Sequence, residues 1–143
     1  MNDLMKTTDD GKFELNFAST QTSYSSLVPK NDTERVAFFN AVNSPTKRLK
    51  EMVNLEVEVQ HIYAETIEFI DKETGERVPG VRIVFISPKG ESYQASSKGV
   101  FSSVSKMLKI FGEPSTWKKP IKIKPREISK GADENVLVFD IIG

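Results

Sequence analysis

Beyond residue 50 the chain alternates apolar and polar residues over long stretches. Val53, Leu55, Val57 and Val59 alternate with Asn54, Glu56, Glu58 and Gln60. A period of two predicts a strand with one wet face. The parity changes at His61-Ile62, so a bulge is expected there, with the strand continuing through Thr66-Ile-Glu-Phe-Ile70. Asp71 to Gly75 and Pro79-Gly80 read as turns. Val81 to Ile86 is a second strand, Ser87 to Gly90 a four-residue turn and Glu91 to Ser96 a third strand, which together make a meander. From Lys98 the period becomes about 3.6, with Val100, Val104, Met107, Leu108 and Phe111 on one helical face until Gly112 ends the helix. Two more strands follow, Ile121 to Ile128 and Val136 to Ile142, joined by a turn near Lys130 to Glu134. Phe85, Phe101, Phe111 and Phe139 fall on apolar stripes and are expected in the core.

The first fifty residues follow different rules. Residues 1–31 are rich in Ser, Thr, Asn and Asp and read as a flexible arm containing one strand-like piece, Phe13-Glu-Leu-Asn-Phe17. Asp32 or Thr33 supplies the cap of a short helix whose Val36, Phe39 and Val42 form a stripe with Phe38 alongside, stopped by Asn43-Ser-Pro45. The expected division is an arm over 1–31, a helix and linker over 32–50 and a β domain over 51–143. Phe13, Leu15 and Phe17 could add to an exposed sheet edge of a second copy and so link molecules into chains, or the arm could fold back on its own domain.

Charge changes this picture more than composition does. The 20 basic and 20 acidic residues cancel, so affinity for a polyanion would have to come from their distribution. The distribution is uneven. Nine Lys or Arg stand between Lys98 and Lys130 against Glu113 and Glu127, whereas the segment from Glu51 to Glu76 is acidic. In Pro120-Ile-Lys-Ile-Lys-Pro-Arg-Glu-Ile128 the strand period puts Lys122, Lys124 and Arg126 in a row on one face, directly after the single tryptophan, Trp117. Cations in a row beside aromatic rings suit single-stranded nucleic acid; the alternative is the solvated outer face of an ordinary strand.

Other chemistry finds little support. With no cysteine and one histidine, His61, there is no thiolate nucleophile, no metal-ligand spacing and no basis for a serine triad, so no catalysis, metal or cofactor is expected. The glycines stand singly at turns and form no phosphate-cradling motif. No apolar run approaches the roughly 20 residues that cross a bilayer, and the N-terminus lacks a signal-peptide layout, so a cytoplasmic protein without a membrane partner is expected.

Three strands in a meander, a helix and two further strands is the order of the OB-fold, a five-stranded, partly open barrel that binds through the face of its second and third strands and two flanking loops. The expected fold class is therefore mainly β, an OB-fold barrel with a helix between its third and fourth strands, plus the N-terminal arm and short helix. The motifs Ala95-Ser-Ser-Lys-Gly-Val-Phe-Ser-Ser-Val104, Lys109-Ile-Phe-Gly-Glu-Pro114, Thr116-Trp117, Pro120-Ile-Lys-Ile-Lys124 and Lys130-Gly131 carry a resemblance. Over about residues 50–142 the chain resembles the small single-stranded-DNA-binding proteins encoded by phages and conjugative plasmids of Gram-positive bacteria. That resemblance implies an OB-fold, no enzymatic activity and single-stranded DNA as the ligand, in conjugation or in phage or plasmid replication. Housekeeping single-strand binders carry a long acidic C-terminal tail, whereas this chain stops at Asp140-Ile-Ile-Gly143, so recruitment through such a tail is not expected.

Base stacking needs outward aromatic rings near cations. Tyr93 lies among Ser92, Gln94 and Ser96, on the binding face or half-buried in the barrel. Tyr63 could stack from the first strand or pack at the barrel rim with its hydroxyl wet, and Trp117 could stack or close the barrel beneath the helix. Arg82 and Lys89 fall where OB-folds hold the nucleic-acid backbone, and Lys98, Lys122, Lys124 and Arg126 add charge nearby. The pattern does not separate single-stranded from duplex DNA as partner, and a protein-protein module of a replication or conjugation complex is the competing reading.

Overall fold

The inward valines and isoleucines of the alternating stretches do form one core. The computed structural model describes residues 5–7, 13–15, 23–129 and 135–142. In chain order the elements are β1 (Met5–Thr7), β2 (Phe13–Leu15), β3 (Ser23–Ser25), α1 (Asp32–Asn43), β4 (Lys47–Arg48), β5 (Val57–Val59), β6 (His61–Ile70), β7 (Arg77–Ile86), β8 (Ser92–Ala95), α2 (Lys98–Phe111), β9 (Ile121–Ser129) and β10 (Asn135–Ile142). The strands form a two-stranded antiparallel sheet of β1 and β2, a sheet ordered β10-β9-β5 and a sheet ordered β3-β6-β7-β8-β4. Only Gln60 separates β5 from β6, so one run of chain serves both large sheets. Val57, Val59, Ile62 and Ala64 are all buried, which places the expected parity change at this junction.

Both sheets turn their inner faces to α2. Val100, Val104, Met107 and Leu108 of α2 pack with Ile83 and Phe85 of β7, Ile123 of β9 and Phe139 of β10. The Phe85 and Phe139 rings meet edge to face at 5.7 Å. The ends of α2 follow its sequence: the Ser97 hydroxyl accepts from the Val100 amide at 3.0 Å, and Gly112 stops the helix at φ 82. The described residues make a mainly β protein with open sheets and two α-helices, compatible with an OB-like fold, and the order meander, helix, two strands runs from β5 to β10.

Several boundaries differ from the sequence expectation for identifiable reasons. The first strand begins at Val57 and not Val53, because Asn54 adopts a left-handed φ of 68 and its amide donates to the Pro125 carbonyl at 2.8 Å. Pro79-Gly80 is no turn but lies within β7, opposite Glu68 and Ile67. There β7 pairs only with β6, since β8 reaches it from Ile83 onward, and proline is tolerated where one strand edge is unpaired. The helix cap is Asn31, whose side chain accepts from the Glu34 amide at 2.9 Å. Phe111 is not in the core but 45% exposed in the last turn of α2. The apolar stripe of α1 is not covered either: Val36 is 60% and Phe39 64% exposed.

Much of the first fifty residues is integrated into the fold. Ser23–Ser25 pair antiparallel with Tyr63–Glu65, and Lys47–Arg48 pair in parallel with Tyr93–Gln94. Tyr24 donates its hydroxyl to Glu113 Oε1 at 2.7 Å, and Leu49 is fully buried. Burial and the Glu113 carboxylate push the Tyr24 hydroxyl pKa far up, so it stays a donor throughout the physiological range. Phe13 and Leu15 lie in β2, which pairs with β1 of the same chain and lies against α2; Phe17 and the expected turn near 130–134 fall outside the described residues.

Candidate nucleic-acid interface

Strand β9 arises from the alternation of isoleucine and lysine, and its burial follows that alternation. Ile123 is fully buried, while Lys122, Lys124 and Arg126 are exposed on the outward face. The neighbouring strands place Ile142 and Glu58 beside Lys122 and Asp140 beside Lys124. Arg126 Nε donates to Asp140 Oδ2 at 2.7 Å, an exposed pair that contributes little to folding and is readily exchanged for another anion.

At the Lys122 end this row opens into a cleft of about 600 Å³ lined by Phe111, Trp117, Lys118, Lys119, Lys122 and Ile141, with Glu58 on its rim. Trp117 is half-buried. Its Nε1 donates to the Gly112 carbonyl at 3.1 Å and its ring packs against the core, so the indole is fixed in place with part of its surface in the cleft. Preorganised rings flanked by flexible cations are what stacking on bases and following phosphates requires. Five cations, Lys118, Lys119, Lys122, Lys124 and Arg126, here face two carboxylates, Glu58 and Asp140.

The opposite end of the β9-β10 ladder has a second cleft, of about 500 Å³, lined by Arg48, Lys50, Gln94, Ser97, Glu127 and Leu137 among others. Glu127 pairs with Leu137 and Lys122 with Ile142, so the two clefts are five residues, roughly 17 Å, apart along β9. Lys98 is exposed in the first turn of α2, beside Ser97 and Phe101 at a small neighbouring hollow. Sequence patterning had not singled out Arg48 and Lys50, because the short β4 carries no alternation long enough to register.

The other expected site residues lie elsewhere, and the structure does not gather Arg82, Tyr93 and Lys122 on one surface. Tyr93 is 7% exposed and belongs to the core, because strand parity pairs it with Phe85 on the inner face. Its polar neighbours Ser92 and Gln94 occupy the other face, so of the two placements open from the sequence the buried one holds. Arg82 lies on the outer face of β7 but is engaged internally: Nη1 donates to Glu65 Oε1 at 2.9 Å, Nε to Gln94 Oε1 at 3.0 Å and Nη2 to the Val42 carbonyl of α1. Tyr63, beside it, meets the edge of Phe38 at 5.8 Å and donates its hydroxyl to Glu65 at 3.2 Å. Burial, assisted by Glu65, pushes the Tyr63 hydroxyl pKa up. Lys89 stands exposed in the β7-β8 turn.

His61 takes part in none of this. Among the described residues no cluster of three or more potential metal ligands occurs. The ring lies half-buried with Nδ1 3.3 Å from Ser26 Oγ, and burial holds its pKa below the usual imidazole value, the Glu113 carboxylate opposing in part. A folded pKa below the unfolded one means the neutral ring stabilises the fold fully above about pH 6.5, and that contribution is lost as pH falls through the lowered folded value. Thermal midpoints measured from pH 7.5 downward are expected to decline across this range in the parent chain and to decline less in His61→Asn; parallel curves would show that His61 carries no such linkage.

An open β fold that displays a fixed indole and a second, exposed ring among lysines has the equipment of an oligonucleotide-binding protein. A family model described as phage single-stranded DNA-binding protein matches residues 17–141, and the chain belongs to that family. It is also 27% identical over 124 residues to the single-stranded DNA-binding protein of Bacillus phage GA-1, covering 83% of this chain and 73% of that relative. No solved structure matches it. No helix among the described residues is long and apolar enough to cross a membrane.

Proposed function

We propose that this protein is a non-catalytic single-stranded-DNA binder that coats the strand during phage or plasmid replication or conjugation. β5 to β10 would form its OB barrel, over about residues 51–143. The observation that carries this reading is the cleft in which Trp117 and Phe111 stand among Lys118, Lys119 and Lys122, continued along β9 by Lys124 and Arg126. Bases stack on the rings and phosphates follow the lysines, with Lys98 and Lys89 adding longer-range attraction. Family membership and the phage GA-1 relative support the same ligand. Assembly along DNA through the arm, with Phe13, Leu15 and Phe17 reaching a second copy, belongs to this proposal. The second reading, a protein-protein module, is favoured by the exposed Val36 and Phe39 of α1.

Fluorescence anisotropy with a labelled oligothymidylate, titrated over a range of salt concentrations, tests the reading. If all five cations reach phosphates, log K is expected to fall against log salt with a slope of roughly −3.5, at about −0.7 per contact on single strands. Absence of binding, or binding indifferent to salt, would overturn it. An equal preference for duplex would overturn the stacking part alone.

A further inference from the structure

The outer face of the β3-β6-β7-β8-β4 sheet carries a row that cross-strand pairing fixes: Tyr63, Val84, Gln94 and Arg48 lie side by side, with Arg82 next to Glu65 one step along. A ring, an amide and two guanidinium groups in register suit a base and its phosphates. Yet α1 lies over this row. Phe38 meets Tyr63, the Val42 carbonyl accepts from Arg82, and the Ala41 carbonyl accepts from Ser92 Oγ at 2.8 Å. Thr46, just beyond the helix, exchanges two further bonds with Ser92, at 3.0 and 3.2 Å.

The way α1 is held is unusual for a structural helix. None of its residues is buried, its apolar Val36 and Phe39 face solvent, and its last turn has no basic residue of its own. The carbonyls of a last helical turn have no intrahelical partner and form the negative end of the helix dipole. Arg82 supplies the missing cation from the sheet. A carbonyl with partial negative charge therefore occupies a guanidinium position that a phosphate oxygen would fill more strongly, since a charge-assisted bond exceeds one to a neutral acceptor.

We propose that α1 is a displaceable lid whose C-terminal carbonyls stand in for phosphate on Arg82 while Phe38 covers Tyr63. Single-stranded DNA first held at the Trp117 cleft and the β9 row gains the second face by displacing the helix. Glu65 stays on Arg82 Nη1 and keeps the guanidinium oriented when Nη2 is released. This inference rests on the single-stranded-DNA reading above and adds a conformational step to it. In the free protein the covered face is closed to weak or short ligands, and a long strand opens it.

The test is hydrogen exchange on the full chain, with and without saturating oligothymidylate, read at the amides from Val36 to Ser44. Bound DNA is expected to speed their exchange at least about tenfold while β9 amides slow, because a lid that leaves loses its local protection. Phe38→Ala, which weakens the lid without emptying a core position, is expected to tighten oligonucleotide binding several-fold, and adding Tyr63→Ala should cancel that gain. Bound DNA with unchanged or slower exchange at these amides, or Phe38→Ala binding no tighter than the parent, overturns the lid and leaves the DNA reading standing. If anisotropy detects no binding, both fall.

Discussion

Gly99→Ala is expected to destabilise the fold by about 3 kcal/mol and to lower its melting midpoint by roughly 10 °C. Propensity alone points the other way, because alanine improves a helical position over glycine by about 1 kcal/mol. Space decides the sign. A Cβ at Gly99 would stand 2.2 Å from the Leu137 carbonyl oxygen and 2.5 Å from Val136 Cγ1. The first obstacle is backbone, so no rotamer change relieves it. The start of α2 would have to move off β10, and that shift carries Ser97 with it, whose hydroxyl both caps the helix and donates to the Leu137 carbonyl at 3.2 Å. Val100, one residue further along, is fully buried and would lose contact as well. Gly75→Ala is the control: φ is +71 there but nothing lies within 4 Å, so only the backbone penalty of about 1 to 2 kcal/mol applies. Calorimetry on both variants checks the ordering, and a midpoint for Gly99→Ala at or above that of the parent would show that the α2-β10 contact yields easily.

What was legible in the sequence depended on whether a pattern repeats. The alternation in 57–64 and 121–128, the switch to a helical period at Lys98 and the stop at Gly112 each involve several residues obeying one rule, and the elements follow them. Single residues were less informative. Tyr93 and Lys122 both alternate with residues of the other polarity, but nothing local says which face of a strand turns inward when both carry polar groups. The register with Phe85 decided it for Tyr93. The N-terminal residues were hardest, since Tyr24 and the two-residue β4 gain their roles from partners 89 and 46 positions away in the chain, as the Tyr24-Glu113 bond and the Lys47-Tyr93 pairing illustrate. A three-residue strand such as β3 is formed by the edge that receives it. That α1 would leave Val36 and Phe39 in solvent was also invisible, because an apolar stripe signals burial whether or not a partner surface is present.

The combined change Lys118→Ala, Lys119→Ala and Lys122→Ala is expected to flatten the salt dependence of oligothymidylate binding by about two units of slope, three contacts at about 0.7 each. Near 0.1 M salt the same three contacts account for a loss of about a hundredfold in affinity, a loss that disappears toward 1 M, where counterion release no longer drives binding. None of the three lysines is in the core, so folding should be little affected. Trp117 acts through a different term. Stacking contributes about 1 to 3 kcal/mol per base and is insensitive to salt, so Trp117→Leu should lower affinity about fivefold or more while leaving the slope unchanged. Leucine is chosen because the indole also packs against the core and donates to the Gly112 carbonyl, and an aliphatic side chain retains part of that packing without a π face. The parent chain provides its own control, since Trp117 is its single tryptophan. Its fluorescence should be quenched on binding in proportion to occupancy, in the parent and in the lysine variant alike at saturation. Binding without any change in that emission, together with a folded Trp117→Leu variant of undiminished affinity, would assign the tryptophan to packing alone and move the stacking site to the row beneath α1. A lysine variant with the parent's slope would remove the β9 surface from the DNA path altogether.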